Sequence, residues 1–339
     1  VEQTVTTIAD VANLAGVSRS TVSYALSGKR PISAEVKERI STAVKELGYA
    51  PNAGARALKS SRTRVIGLMA EFYPDEFAPA MLQYILGVSR AAQELGYDIL
   101  LTTAEDGVES LRRVSTSQMI DGAILLNVAA DDHRLPLARE MSQPVVLVGL
   151  PEDPRGVDVF DLDFEEAGRL MVDLLSDAGR QDLVLVSQPK HVVDRGGAYV
   201  WRLRDAALEQ ARIRGVSLRT YDAASMQPEV GDDLQRIFDE NPHCTGVLLN
   251  NEAAAAALPG ILAERNLTVP DDIAVIGRFS EEFGRTFSLQ YSSVDSAAEQ
   301  LGSLAVRQLI RRLSAHDTGP HVIRLIPPQL IDHGSIAPL

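Results

Sequence analysis

From residue 65 onward, short uninterrupted apolar runs alternate with longer amphipathic segments, and this alternation restricts the fold more than any other feature of the 339-residue chain. The predicted strands are VIGLMA (65–70), DILLTT (98–103), GAILLNV (122–128) and PVVLVG (144–149), with helices between them around 79–95, 108–118 and 132–141. A second series follows: DLVLVS (182–187), LRTYDA (218–223), GVLLNN (246–251) and IAVIGR (273–278), separated by helices near 164–178, 197–213, 230–240 and 252–266. Strands that are apolar on successive residues are covered on both faces, and strand–helix–strand crossovers lay neighbouring strands parallel. Two such series predict an α/β body of two doubly wound lobes. A final helix near 296–313 and the run HVIRLIPPQLI must rejoin one or both of them. Ligands of such sheets bind beyond the carboxyl ends of the strands. The candidates there are Glu71, Phe72, Phe77, Asn127, Leu150, Asn250, Asn251, Glu252, Arg278 and Phe279, each of which has a structural reading as well.

The first 64 residues follow a different pattern. TIADVANLAGVSRSTVSYALS (7–27) reads as two short helices about a glycine-centred turn, the helix-turn-helix layout that enters DNA. Thr7 can cap the first helix with Asp10 as its capping-box partner, and Ile8, Val11, Ala12 and Ala15 share one face. Gly16 suits the left-handed turn, Val17 plugs the core, and Ser18 caps a second helix that turns Val22, Ala25 and Leu26 inward. Arg19, Ser20, Thr21, Ser23 and Tyr24 are left on the other face, where short polar and basic side chains suit base edges and phosphates. A helical hairpin in an ordinary core satisfies the same short periodicity. Ser33 can cap a third helix carrying Val36, Ile40, Val44 and Leu47, with Gly48 as its stop. Beyond Tyr49, Asn52 can cap a weak stretch, AGARALKSS, which reads as a linker that orders only with a partner.

Charge supports a nucleic-acid partner for the head alone. The chain carries −13 overall, yet residues 1–64 hold ten Lys or Arg against five Asp or Glu, a net +5, and the rest carries −18. Phosphate attracts the head and repels the body. Cys244 is the single cysteine, so neither an intrachain disulfide nor a thiolate metal cluster is expected. No apolar stretch is long enough to span a membrane and no signal peptide is visible, so a cytoplasmic protein without membrane contact is expected. An enzyme is disfavoured. VIGLMAEFYPDEF lacks G-x-G-x-x-G, no P-loop or G-x-S-x-G elbow occurs, and His133, His191, His243, His316, His321 and His333 are scattered. Neither cofactor nor metal is expected.

The succession AGVSRSTVSYALSG, GYAPNAGARALKSSRT and VIGLMA resembles the LacI/GalR family of bacterial transcription regulators. GYDILLTTAED, MIDGAILL, VPDDIAVIG and the terminal PPQLIDHGS extend the resemblance over nearly the whole chain. It implies a homodimeric regulator, typically a repressor, whose paired heads bind double-stranded DNA at a palindromic operator under the control of a small effector. The implied division is a head at 1–50, a hinge at 51–63 and a body at 64–339. Lobe one takes about 64–162 plus 293–325, and lobe two about 163–292 plus 326–339. By position, Arg19, Ser20 and Tyr24 match base-reading residues, and Thr7, Ser18, Thr21, Ser23, Tyr49 and Asn52 match backbone contacts. Arg56 and Leu58 match minor-groove residues of the hinge, Leu58 as a wedge between base steps.

The effector side departs from the family pattern. The usual Asn-Asp pair reads Asn251-Glu252, and the acid expected two residues after Gly277 is Phe279. The usual Asp-Asn of the first crossover reads Asp161-Leu162, and the usual cleft arginine before the 205–213 helix has no clear counterpart, with Arg195, Tyr199 and Arg202 all nearby. Trp201 and Phe279 can stack on a ligand or fill the lobe. The resemblance implies a polyhydroxylated effector, such as a carbohydrate, in the cleft; a non-sugar ligand or a protein co-regulator is the alternative. Periplasmic sugar-binding proteins share such a body, and the basic head argues against a transport role.

Overall fold

The computed structural model describes residues 6–27, 30–49, 62–73, 78–104, 106–315 and 319–337. The predicted hinge residues Asn52, Arg56 and Leu58, and the cleft candidate Phe77, lie outside them. The chain divides into two compact units, Val1–Thr63 and Arg64–Leu339.

The first unit holds helices α1 (Ile8–Ala15), α2 (Arg19–Ser27) and α3 (Ala34–Glu46). Thr7 donates from its N–H and its hydroxyl to Asp10, at 2.8 and 2.7 Å, and these bonds hold the Asp10 carboxyl below its usual range. Ser18 Oγ caps α2 by accepting from the Thr21 N–H at 3.1 Å, and Ser33 Oγ accepts from Val36 in the same way at α3. Val11, Ala12, Ala15, Val22, Ile40 and Ala43 form the buried centre, ringed by Ile8, Val17, Ala25, Val36, Val44, Leu47 and Tyr49. Leu26 departs from expectation. It is 41% exposed, because the packed cluster ends at Ala25 and the last turn of α2 runs beyond it.

The second unit carries two six-stranded sheets. β1 (Val65–Met69), β2 (Asp98–Thr102), β3 (Gly122–Leu125), β4 (Val145–Val148), β5 (Asp158–Leu162) and the late β11 (Ile323–Ile326) form the first, in the order β11-β5-β4-β3-β1-β2. All of its pairings are parallel. Its helices are α4 (Ala78–Glu94), α5 (Gly107–Thr116), α6 (Leu135–Glu140) and, from far along the chain, α13 (Ala298–Ala315). α4 and α13 approach closely at Gly87 and Gly302: a Cβ on Gly302 would stand 2.6 Å from the Val88 nitrogen, so only glycine fits there.

The second sheet has the order β12-β10-β9-β8-β6-β7. Its strands are β6 (Asp182–Ser187), β7 (Ser217–Asp222), β8 (Gly246–Leu249), β9 (Ala274–Arg278), β10 (Ser292–Val294) and β12 (Leu330–Ile331). Only β12 runs antiparallel, against β10. The helices of this lobe are α7 (Phe164–Asp177), α8 (Lys190–Asp194), α9 (Ala198–Arg214), α10 (Glu229–Glu240), α11 (Glu252–Glu264) and α12 (Glu281–Gly284). The chain crosses between lobes after β5, after β10 and between β11 and β12, so HVIRLIPPQLI serves both sheets. The apolar-run criterion missed β5, because DVFDL carries two aspartates in a wholly buried strand. Among the described residues, no helix is long and apolar enough to cross a membrane.

Gly16 sits at φ +62°, and a Cβ there would meet the Arg39 guanidinium at 2.7 Å. Gly16→Ala is therefore expected to cost the head about 1 kcal/mol. Amide exchange of the full chain should show α1 and α2 opening about fivefold more often, with body amides unchanged.

Candidate DNA face and interlobe cleft

The amino-terminal turn of α2 gathers hydroxyls beside a cation. Arg19 and Ser20 are exposed, Thr21, Ser23 and Tyr24 are half-buried, and Thr7 and Ser18 stand exposed at the helix starts. Ser18 Oγ lies 2.7 Å from Ser20 Oγ and 2.8 Å from Thr21 Oγ1. The Arg30 guanidinium sits over the Tyr24 ring at 5.0 Å, which restricts the ring and adds a second cation to this face. Tyr49 packs against the head's own core. A helix start with unsatisfied N–H groups, flanked by hydroxyls and two arginines, is chemically suited to phosphate and base edges.

In the body, a cavity of about 130 Å³ lies between the lobes at the carboxyl ends of both sheets. From lobe one it is walled by residues after β1, β3 and β4 and by Asp161 of β5. From lobe two come the start of α7, Gln188 after β6, Tyr199 of α9, Glu252 and Arg278. Arg134 builds the lobe-one wall from behind. Almost wholly buried, it donates to both oxygens of Asp132, at 2.9 and 2.6 Å, and to the carbonyls of Leu126 and Asn127, at 3.0 and 3.2 Å. This grip fixes the turn after β3, where Asn127 takes a positive φ of 51° and its amide donates to the Glu71 carbonyl. Burial opposes the Asp132 charge, but Arg134 outweighs it and holds the carboxyl below its usual range.

The lobe-two wall centres on a second buried pair. Arg278 donates to Glu252 at 2.6 Å and to Asn250 Oδ1 at 2.8 Å, while Gln188 donates to the other Glu252 oxygen at 2.9 Å. Burial works against the Arg278 charge, yet Glu252 holds the guanidinium above its ordinary range. Between the lobes, Arg202 of α9 donates to Asp161 of β5 at 3.0 Å, and the Leu150 and Leu162 N–H groups also donate to Asp161. The Arg195 guanidinium lies 4.1 Å from the Tyr73 ring centre, and the Ala130 N–H donates to the Gly196 carbonyl at 2.8 Å.

Among the effector candidates, Phe72, Asn127 and Glu252 line this cavity, as do Glu71, Leu150 and Arg278. Asn251 does not. It is buried, caps α11 through its Oδ1, and spends its amide on the Ser187, Ala223 and Ala224 carbonyls. Phe279 turns into the core of lobe two against Phe283 and Phe287, 6.3 and 5.1 Å away between ring centres. Arg195 and Trp201 also lie outside the lining; Arg195 is engaged with Tyr73 across the cleft. The cleft-end rule passed over Asp161, Phe164, Gln188 and Tyr199. Gln188 follows β6 as Glu71 follows β1, so the same rule would have found it, whereas Asp161 sits in an unmarked strand and, like Tyr199, is pointed to by the family resemblance alone.

Residues 7–52 match the description "Bacterial regulatory proteins, lacI family", and residues 172–336 match a periplasmic binding protein-like domain. The HTH-type transcriptional regulator MalR of Streptococcus pneumoniae (serotype 4) is 31% identical over 276 residues, which cover 78% of this chain and 81% of MalR. Among solved structures, the Lac repressor dimer bound to operator and the anti-inducer ONPF superposes with a TM-score of 0.77 at 21% identity, covering 98% of this chain and 99% of that one. The CelR–cellobiose complex gives 0.67 at 24% identity, over 97% and 99%. The protein is thus a helix-turn-helix regulator with a two-lobed, binding-protein-like body. The chain belongs to the LacI family of bacterial regulatory proteins; it is a DNA-binding transcription regulator and not an enzyme.

Burial pushes the Asp161 carboxyl up to about 6, against the pull of Arg202 and two backbone N–H groups. An unfolded chain releases that proton near pH 3.9, so the native state binds it more tightly, and this group's contribution to stability falls as pH rises from about 4 through about 6. With Asp161→Asn the titration disappears. The unfolding free energy of the wild type minus that of the variant should fall by about 2 kcal/mol between about pH 4 and pH 7 in denaturant titrations. A difference independent of pH would mean that Arg202 keeps the carboxylate ionised throughout.

Proposed function

We propose that this regulator is a repressor that binds a palindromic operator as a homodimer in the cytoplasm, and that a small polyhydroxylated ligand in the interlobe cleft changes its operator affinity. The exposed Arg19 and Ser20 beside Tyr24, on a capped second helix, carry the DNA half of this reading. Arg19 can donate both guanidinium nitrogens to guanine O6 and N7, while Thr7, Ser18, Thr21, Ser23 and Tyr49 set register on phosphates. A single head has little surface for a tight site, and two heads on two half-sites supply the rest. The solved Lac repressor dimer on its operator supports this arrangement. Asn52 on the backbone and Arg56 and Leu58 in the minor groove complete the proposed contacts, and the proposed division remains head 1–50, hinge 51–63 and body 64–339.

For the effector half, the support is the cavity at the strand ends, where aromatic rings lie beside polar groups, together with the cellobiose complex of CelR. Phe72, Asn127 and Glu252 are the proposed effector contacts, joined by Phe164, Gln188 and Tyr199. A ligand acts on operator affinity only by binding two states of the body unequally.

Footprinting across the promoters of its own and neighbouring genes should reveal a protected palindrome; protection nowhere would overturn the reading. Arg19→Ala should relax specificity at one symmetric base pair by about 1–3 kcal/mol, and a uniform loss over all sequences would make Arg19 a phosphate contact instead. Leu58→Ala should weaken operator binding while the body stays dimeric in sedimentation, and unchanged affinity would remove the wedge.

A further inference from the structure

We propose that the cleft selects an uncharged ligand and excludes phosphorylated or carboxylated ones, and that the Glu252–Arg278 pair sets this choice. The inference deepens the effector reading and rests on it. Glu71, Asp161 and Glu252 bring three carboxylates to the wall, against the single guanidinium of Arg278. That guanidinium is already engaged, with Nη2 on Glu252 at 2.6 Å and Nε on Asn250 at 2.8 Å, and it is 4% exposed. Other cations near the cleft are engaged too, Arg202 by Asp161 at 3.0 Å, Arg134 by Asp132 at 2.6 Å and, more distantly, by Glu71 at 3.8 Å, and Arg195 by the Tyr73 ring at 4.1 Å. Arg278 and Arg202 both lie near the Phe164 ring, at 5.8 and 5.9 Å from its centre, Arg278 on the wall and Arg202 behind it.

An anion in this space meets more carboxylates than guanidiniums. To reach Arg278 it must take that cation from Glu252, leaving a buried carboxylate that has lost its charge partner. A hydroxyl has no such conflict, since it donates to a carboxylate oxygen while the ion pair stays closed. Phe72, Met81, Leu126 and Tyr199 supply the apolar and aromatic part of the wall, which suits the carbon face of an uncharged ring.

The test uses inorganic phosphate as the anionic probe, with the full-length protein at constant ionic strength. Calorimetric titration of the wild type should give no saturable binding, and hydrogen exchange at 250–254 and 278–280 should be unchanged by phosphate. Glu252→Gln releases Arg278 and should bind phosphate at least about tenfold more tightly than the wild type, with new protection in those segments. Saturable phosphate binding to the wild type that protects them would overturn the proposal, as would a folded Glu252→Gln protein with no gain. If that variant fails to fold, the wild-type titration and exchange decide by themselves. The effector reading fails separately, if ligands that protect the cleft leave operator affinity unaltered.

Discussion

A charge taken out of water must find an opposite charge or several hydrogen bonds, and the body of this regulator is arranged around that requirement. Among the described residues, four close arginine–carboxylate pairs lie buried or nearly so in it. Arg134–Asp132 fixes the turn after β3, Arg312–Asp158 fastens α13 to β5, Arg278–Glu252 closes the lobe-two wall, and Arg202–Asp161 joins the lobes. Arg134 and Asp132 are near neighbours in the chain, whereas the other three pairs join groups that the fold brings together from far apart, and losing one partner strands a charge in a poor solvent. Their net contribution to stability is small, since desolvation offsets most of the Coulomb gain. Their consequence is geometrical: Arg278–Glu252 and Arg202–Asp161 fix side chains at the cavity, Arg134–Asp132 fixes the turn behind it, and Arg312–Asp158 fixes a helix on its sheet.

Parallel sheets supply the other half of the arrangement. With every strand of the first sheet running the same way, and only β12 reversed in the second, the strand ends of both lobes meet at one cleft. The three crossings between lobes are short, and Asp161 stands one residue before the first of them. That position explains how one carboxylate can line the cavity, receive Arg202 from the other lobe, and remain tied to lobe-one backbone through the Leu150 and Leu162 N–H groups. A change at Asp161 is felt by ligand, lobe contact and crossover together.

Much of this was legible in residue order because periodicity and capping are local. Thr7 with Asp10, Gly16 and Ser18 mark the head's turns, and apolar runs mark the strands of both sheets except those whose burial depends on distant partners. β5 escaped for that reason: Asp158 and Asp161 look like surface residues until Arg312 and Arg202, far along the chain, neutralise them. Side-chain direction at the strand ends was equally illegible. Asn251 and Glu252 are adjacent just after β8, and Arg278 and Phe279 are adjacent at the end of β9, yet Glu252 and Arg278 face the cavity while Asn251 and Phe279 serve capping and packing. Family likeness marks the positions, but long-range charge pairing determines what each one does.

Regulation requires a body with two states of nearly equal free energy, because a ligand can shift their ratio only by its difference in affinity for them. A pair such as Arg202–Asp161 is suited to this. A well-packed apolar contact between the lobes would favour closure by its full transfer free energy, whereas a desolvated ion pair gives back most of what it gains. The Tyr73–Arg195 stack and the Ala130–Gly196 hydrogen bond add small, directional contributions between the same lobes. Closure defined by weak, specific contacts stays reversible while keeping a unique geometry. A ligand that completes the wall's hydrogen bonding, without competing for Arg278, then needs to supply only a few kcal/mol to change the dominant state.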